Sequence, residues 1–440
     1  MKKILSIVLI AVAVTTPAQT KKLTLEESVR MGLQNNKMIQ IAESKYRSRD
    51  AKVTEAVSNM LPKLSVGGIY NYMSFQNPDA LPLFSGRAKI PLDRPISMYG
   101  GNITLQQPLF TGLKMWSVKS AAENSLKAEE KNLSAEKNRI AVEVNKSFWN
   151  YVKSKKLKSL LEENLKAAEN HLRVTKNFLD NGMATQNDFL KMEVQVQKIK
   201  LKLVDAENQE KIARSVFNQT IGLEIDAETE IETNEEFSSA GEPDYDALVA
   251  EALRNRDELL AAGFMLNAGD DMISAARSGW FPSLYAVGNY YLYNMDAEAI
   301  FGEMQRVRAF SFGLSLNWDL WDWWNASSKT AQARESKFQI EKQSELTKDK
   351  VKIEVYSNYL ALISGEKKVS INELTLKSAE ENFRLIEEKY NNQVATSADL
   401  IDAQTELIKA EMELLISKID YELAKVKLYA SVGRKLYTVK

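Results

Sequence analysis

Cysteine is absent from this 440-residue chain, and histidine occurs once, at His171. The missing thiols exclude disulfides, thiolate metal sites and a lipid-modified N-terminal cysteine. A single histidine argues against a metal or acid–base centre, and no nucleophile–base pair stands out. An enzyme is therefore the least favoured class, and no cofactor or metal is expected. Nine prolines and 18 glycines are few for this length, so long uninterrupted elements are expected. Neither sign of charge dominates: 58 basic residues face 59 acidic ones, and no basic run suggests nucleic acid. His171, inside a long charged segment, reads as a surface residue.

Long apolar runs are also missing, except at the N-terminus. Lys2 and Lys3 precede the run Ile4 to Val14, and Thr16, Pro17 and Ala18 offer a small-residue cleavage site. Residues 1–18 therefore read as a secretory signal peptide, too short to span a bilayer. Its removal leaves 58 − 2 = 56 basic against 59 acidic residues, a balance of −3. Charges interrupt every other candidate span. If the chain enters a membrane, it does so as strands.

What is present is organised around one stretch that occurs twice. Asn181-Gly-Met-Ala-Thr-Gln-Asn-Asp-Phe-Leu190 returns as Asn391-Asn-Gln-Val-Ala-Thr-Ser-Ala-Asp-Leu400, at an offset of 395 − 184 = 211. Each copy lies between two long helical segments, so each reads as a hairpin tip. Gly182 supplies a left-handed helix end. Thr185 and Thr396 each precede an aspartate by three positions, Asp188 and Asp399, a spacing that caps the outgoing helix.

Between about Lys114 and Asp180 there is neither Pro nor Gly. At ~1.5 Å per residue such a helix runs on the order of 100 Å, which is a rod rather than a core element. Gln186 to Ile221 runs back from the tip, and a second pair spans about Asn325 to Asn391 and Ser397 to Val432. In the last, Leu400, Leu407, Leu414, Tyr421 and Leu428 recur every seven residues with Ala403, Ala410, Ser417 and Ala424 three places on. That stripe specifies side-by-side packing of helices. Before each rod come shorter helices and a pair of strands with period-two alternation. Leu64, Val66, Tyr70 and Tyr72 mark one strand, Ile103 and Leu105 the next, and Phe310, Phe312, Leu314, Leu316 and Trp318 the clearest. Residues 74 to 98 hold Pro78, Pro82, Pro91 and Pro95 and read as an irregular exposed loop.

The expected organisation is thus a signal peptide (1–18) followed by two structural repeats. The first covers 19–222, with strands at about 63–75 and 98–110 and a tip at 181–186. An acidic linker, 223–244, follows as an equatorial region. The second covers 245–433, with strands at about 283–293 and 309–321 and a tip at 391–397, before a C-terminal tail at 434–440. Four strands in one chain leave two edges unpaired in lipid, so several copies must share a barrel.

Taken together, the duplicated strand pairs, the rod-length helices and the tips Gly182-Met-Ala-Thr and Gln393-Val-Ala-Thr, followed by Asp188-Phe-Leu and Asp399-Leu-Ile-Asp-Ala-Gln404, resemble the TolC family of outer-membrane efflux channels. The resemblance covers nearly all of the mature chain. It implies an α+β membrane protein, a homotrimer whose twelve-stranded barrel continues into a periplasmic α-helical tunnel. It further implies passive export as the exit duct of a tripartite efflux or type I secretion system in a Gram-negative outer membrane. The tips, Gly182, Met183, Ala184 and Thr185 with Val394, Ala395 and Thr396, would dock a periplasmic adaptor belonging to an inner-membrane pump or transporter.

The resemblance also assigns an acidic periplasmic entrance to Asp399 and Asp402, with Tyr390 helping to hold it closed. Ala395 stands where a basic partner of that entrance would be, so the same closing bond is not expected here. Simpler roles stand beside these: capping for Asp188 and Asp399, a solvated charge for Asp402, packing for Tyr390. Trp318, Trp321, Trp323 and Trp324 suit an interfacial aromatic belt or packing below the barrel. A periplasmic coiled-coil adaptor or scaffold is the alternative class. An adaptor would show one hairpin flanked by small β-rich domains, and a scaffold would not explain the strands. Which cargo or pump is served is not written in the sequence.

Overall fold

The computed structural model describes residues 22–74, 81–83, 88–90, 96–233, 241–296 and 305–437. The expected signal peptide, residues 234–240 of the acidic linker and the last three residues of the tail lie outside that range. No described helix is long and apolar enough to cross a membrane.

The elements in chain order are β1 (Lys22–Leu23), α1 (Leu25–Asn35), α2 (Lys37–Ser58), β2 (Lys63–Met73), β3 (Leu81–Leu83), β4 (Ala88–Ile90), β5 (Ile96–Thr111), α3 (Lys114–Asp180) and α4 (Gln186–Ile221). They continue with β6 (Glu230–Ile231), α5 (Tyr245–Asn255), α6 (Asp257–Arg277), β7 (Ser283–Asp296), β8 (Gln305–Asn317), α7 (Asn325–Asn391) and α8 (Ser397–Ser431). With no proline or glycine to interrupt it, α3 reaches 67 residues; α7, of the same length, carries only Gly365.

The chain forms two compact units, each drawing on both halves of the sequence: stretches of Met1–Gln40, Glu136–Ala252 and Lys352–Lys440 in one, Ile41–Ala135 and Leu253–Val351 in the other. In the first unit, α1 begins with a capping box in which Glu27 N donates to Thr24 Oγ1 and Thr24 N donates to Glu27 Oε2. Its Gly32 is required by close approach, since a Cβ there would lie 2.6 Å from Val144 Cγ2. Phe148 and Tyr151 of α3 pack on Phe217 of α4 and, with Ile140, Val144 and Ile221, form the centre of this unit's core. The seven-residue stripe of α8 lies inward: Leu400, Tyr421, Leu428, Ala403, Ala410, Ser417 and Ala424 are buried, and Leu407 and Leu414 are half-buried. β1 and β6 pair in parallel, so the acidic linker contains a strand too short for any alternation to reveal.

In the second unit, β2, β5, β7 and β8 form one antiparallel sheet in that order, with β2 and β8 at its edges. The register sets rows across the sheet. Val66, Ile103, Tyr290 and Phe310 form one row, and Leu64, Leu105, Gly288 and Phe312 the next on the same face. On the opposite face Ser65, Thr104, Asn289 and Ser311 stand in line, tied by Thr104 Oγ1 donating to Asn289 Oδ1 at 2.8 Å. A bulge between Pro108 and Phe110 interrupts the β5–β7 ladder where Pro108 has no N–H to donate.

Three local expectations differ from what is observed. β8 runs 305–317 rather than 309–321, because a turn containing two left-handed residues, Trp323 and Trp324, carries the chain from the sheet into α7. The proline-rich segment 74–98 is not wholly irregular: β3 and β4 pair antiparallel within it, β5 begins at Ile96, and apart from Ser74 the rest of the loop lies outside the described residues. His171 is not on the surface. It is 5% exposed, because its ring packs edge-on against Phe383 of α7.

Candidate functional site

Both hairpin tips belong to the first unit, and they make the same bonds at the same offset. After α3, Gly182 N donates to Leu179 O and Met183 N to Phe178 O; after α7, Gln393 N donates to Tyr390 O and Val394 N to Lys389 O. Each pair closes its helix through a residue with positive φ, Gly182 at +76° and Gln393 at +63°. Glycine, which has no Cβ, is the low-energy choice for that conformation, so Gln393 carries strain that Gly182 does not. Its side chain reaches across the two tips, with Nε2 donating to Met183 Sδ at 3.0 Å.

The outgoing helices begin with the expected caps. Asp188 N donates to Thr185 Oγ1 while Asp188 Oδ2 accepts from Thr185 N and Oγ1, and Asp399 does the same with Thr396. The Thr396 hydroxyl and then its amide hold the Asp399 carboxyl below the usual carboxylate range. Asp188 has a further partner. Ser397 Oγ donates to its Oδ1 at 2.5 Å, joining the first tip to the second and, with Thr185, lowering its pKa. The position equivalent to Ser397 in the first tip is Gln186 (397 − 211), which removes the reciprocal bond.

Beneath the tips Met192, Tyr390 and Leu400 form a small core with Phe178, Phe383 and Ala395 against it. Tyr390 is 5% exposed, and its hydroxyl lies 2.6 Å from Thr175 Oγ1. Thr175 already donates its one hydroxyl proton to His171 O at 2.8 Å, so Tyr390 is the donor to Thr175. Burial raises the Tyr390 pKa. Burial likewise lowers that of His171, whose Nε2 lies 3.6 Å from Glu387 Oε1.

The structure therefore brings Asp188, Ser397, Tyr390, Thr175, Gln393 and Met183 together at the junction of the two hairpins. It leaves Asp402 exposed one turn along α8, and Met183 and Val394 project at 49% and 76% exposure. Ala395 contributes a methyl group to the core and no charge. Thr175 and Ser397 are not among the residues singled out from the sequence, and Gln393 enters there only as the first residue of the second tip motif. Their contacts join positions more than 200 residues apart, which only the duplicated tip brings into register.

In the second unit Trp321, Trp323 and Trp324 form an exposed cluster, with ring centroids 5.6 Å apart for Trp321 and Trp323 and 6.3 Å for the other two pairs. Trp318 is exposed just beyond the end of β8. Among the described residues no group of side chains could hold a metal ion.

The family model for outer membrane efflux proteins (OEP) matches residues 29–223 and 248–434. The chain is similar to outer membrane efflux protein BepC of Brucella suis biovar 1 (strain 1330), with 22% identity over 428 residues, 97% of this chain and 89% of that one. It is similar to the same degree, 22% over 437 residues, to outer membrane protein TolC of Vibrio cholerae serotype O1 (strain ATCC 39315 / El Tor Inaba N16961), covering 98% of this chain and 96% of that one. Its fold is similar to that of the Campylobacter jejuni CmeC outer membrane channel, with a TM-score of 0.80 at 14% identity over 93% of this chain and 85% of that one. Since the family model takes in both halves of the chain, this protein belongs to the outer membrane efflux protein family, a family of transport proteins and not of enzymes.

Proposed function

We propose that this chain is one of three identical subunits of an outer-membrane exit duct, passively conducting cargo delivered by an inner-membrane transporter and a periplasmic adaptor. The observation that carries the reading is the sheet. One face bears rows of Leu, Val, Ile and Phe, with Phe310 at 86% exposure, and the other bears the Ser65–Thr104–Asn289–Ser311 row. An apolar outer face and a hydrogen-bonding inner face are what a membrane barrel requires. Its free edges, β2 and β8, cannot remain unpaired in hydrocarbon, so copies of the sheet must close on one another. Three four-stranded sheets give a barrel of twelve.

Exposed apolar side chains also run along α4 (Val194, Leu201, Val204, Ile212, Val216) and α7 (Ile353, Tyr356, Leu360, Ile371, Leu374), which suits packing between neighbouring subunits. The tryptophans after β8 suit the periplasmic interface of the outer membrane. We assign residues 1–18 to a signal peptide, and 19–222 and 245–433 to two repeats joined by an acidic equatorial linker, 223–244. The tips, with Met183 and Val394 foremost, are assigned to adaptor docking. Asp402, exposed and free of the capping role of Asp399, is assigned to an acidic ring at the entrance, where threefold repetition would concentrate negative charge.

The test is single-channel recording in planar bilayers. Wild-type protein should give cation-selective current steps blocked by a multivalent cation, and Asp402→Ala should weaken that block. Equal block in both proteins would remove Asp402 from the entrance. An absence of current from folded, bilayer-inserted protein would count against conduction itself.

A further inference from the structure

Arg306 and Arg308 lie on the face of β8 that also carries Phe310, Phe312, Leu314 and Leu316, at the end of the strand remote from α7. Their rows across the sheet carry no charged residue besides the arginines themselves. Arg308 stands opposite Leu292, with Gly101 and Gly68 beyond, and Arg306 opposite Asn294, with Tyr99 and Tyr70 beyond. Both arginines are exposed. Arg306 spends one N–H on Asn294 Oδ1 at 3.2 Å, and among the described residues neither guanidinium is paired with a carboxylate.

Depth gives these charges a meaning, which rests on the proposed placement of the sheet in an outer membrane. From Trp318 to Arg308 is 318 − 308 = 10 residue steps. At ~3.4 Å per residue and a tilt of about 40°, that rise is about 26 Å along the membrane normal, close to the ~25 Å height of an apolar barrel band. With the tryptophans at the inner boundary, Arg308 falls at the outer boundary and Arg306 just above it. A cation on the lipid face is unfavourable within the hydrocarbon and tolerated only at such a boundary. There the chemistry it meets is lipid phosphate, which a planar guanidinium can bind through two parallel hydrogen bonds.

We infer that Arg306 and Arg308 form a binding site on the outer wall of the barrel for the phosphate groups of a phosphorylated glycolipid in the outer leaflet, whose acyl chains lie along Phe310 and Phe312. The pair is spaced i, i+2 on one strand, so its two forks project side by side about 7 Å apart, suited to two phosphates or one phosphate held from both sides. Closure of the barrel by three copies would repeat the site three times.

The test uses the full-length protein in two steps. Flotation with phosphatidylcholine vesicles first asks whether the protein enters bilayers at all; failure there refutes the membrane placement and this site with it. Native mass spectrometry in detergent then measures retention of diphosphorylated lipid A, of dephosphorylated lipid A, and of lipid A in competition with inorganic phosphate. Wild type should hold the diphosphorylated form at least tenfold more tightly than the dephosphorylated form, with no competition by millimolar phosphate. Arg306→Gln with Arg308→Gln should abolish the difference, and Arg306→Lys with Arg308→Lys should restore part of it. Equal retention of the two lipids by wild type would overturn the inference without any variant. Full displacement by inorganic phosphate would also overturn it, by showing an anion site that needs no lipid.

Discussion

The bond between Tyr390 and Thr175 is directional, and the direction makes two conservative substitutions unequal. Tyr390 donates to Thr175 Oγ1 at 2.6 Å, because the threonine proton is committed to His171 O at 2.8 Å. Tyr390→Phe removes one neutral hydrogen bond and strands no donor, since Thr175 keeps its own acceptor; the loss should be about 1 kcal/mol. Thr175→Val instead leaves the Tyr390 hydroxyl without a partner at a site only 5% exposed, at a cost of about 1–3 kcal/mol. The His171 carbonyl still faces its helical amide, so it adds little. With both substitutions present no polar group is left stranded, and the double variant should be no less stable than Thr175→Val alone. Amide hydrogen exchange at residues 385–400 reads local opening of the tips directly. Relative to wild type, exchange should accelerate about fivefold in Tyr390→Phe and more in Thr175→Val, with a clear non-additive term in the cycle. Equal acceleration in the two single variants, or strict additivity, would refute the assigned donor and the buried bond with it.

Gly182→Ala should loosen the first tip by about 1 kcal/mol from backbone strain alone, since φ is +76° and a Cβ meets nothing within 4 Å; faster exchange confined to residues 178–190 would check it. Gln404 is 1% exposed with both amide atoms lacking a partner among the described residues, so Gln404→Leu should stabilise α8 locally by about 1 kcal/mol, seen as roughly fivefold slower exchange. Burial lowers the folded-state pKa of His171 against the pull of Glu387, so its neutral form is the one that fits. The stability this confers is full above the unfolded value of about 6.5 and declines as pH falls through it toward the folded value. Opening of residues 165–180, corrected for intrinsic exchange, should therefore increase between pH 7.5 and 5.5, and His171→Phe should flatten that dependence.

The parts of the fold legible in the sequence are those set by period or punctuation. α3 and α4 lie at Lys114–Asp180 and Gln186–Ile221 as expected, because proline and glycine are absent until Gly182 and Gly222 end them. The two Thr-to-Asp caps were readable for the same reason, as each needs only a local spacing. The short strands β3, β4 and β6 span two or three residues, too few to alternate. The burial of His171 and the bonds Tyr390–Thr175 and Ser397–Asp188 depend on which faces of distant helices meet. Separations of 215 and 209 residues place those contacts beyond any periodicity argument, although the repeated tip foretold that the two turns are alike. The left-handed Trp323 and Trp324 were hidden because no glycine marks them, unlike Gly112 at the corresponding turn after β5.

The proposed duct requires that the two open edges of the sheet, β2 and β8, be closed by other copies of the chain. The most direct measurement is the mass of the protein extracted from outer membranes into lipid nanodiscs, by native mass spectrometry. Three protomers per particle are expected, stable until the sheet itself unfolds. A folded, membrane-inserted monomer would contradict the shared barrel and the duct built on it.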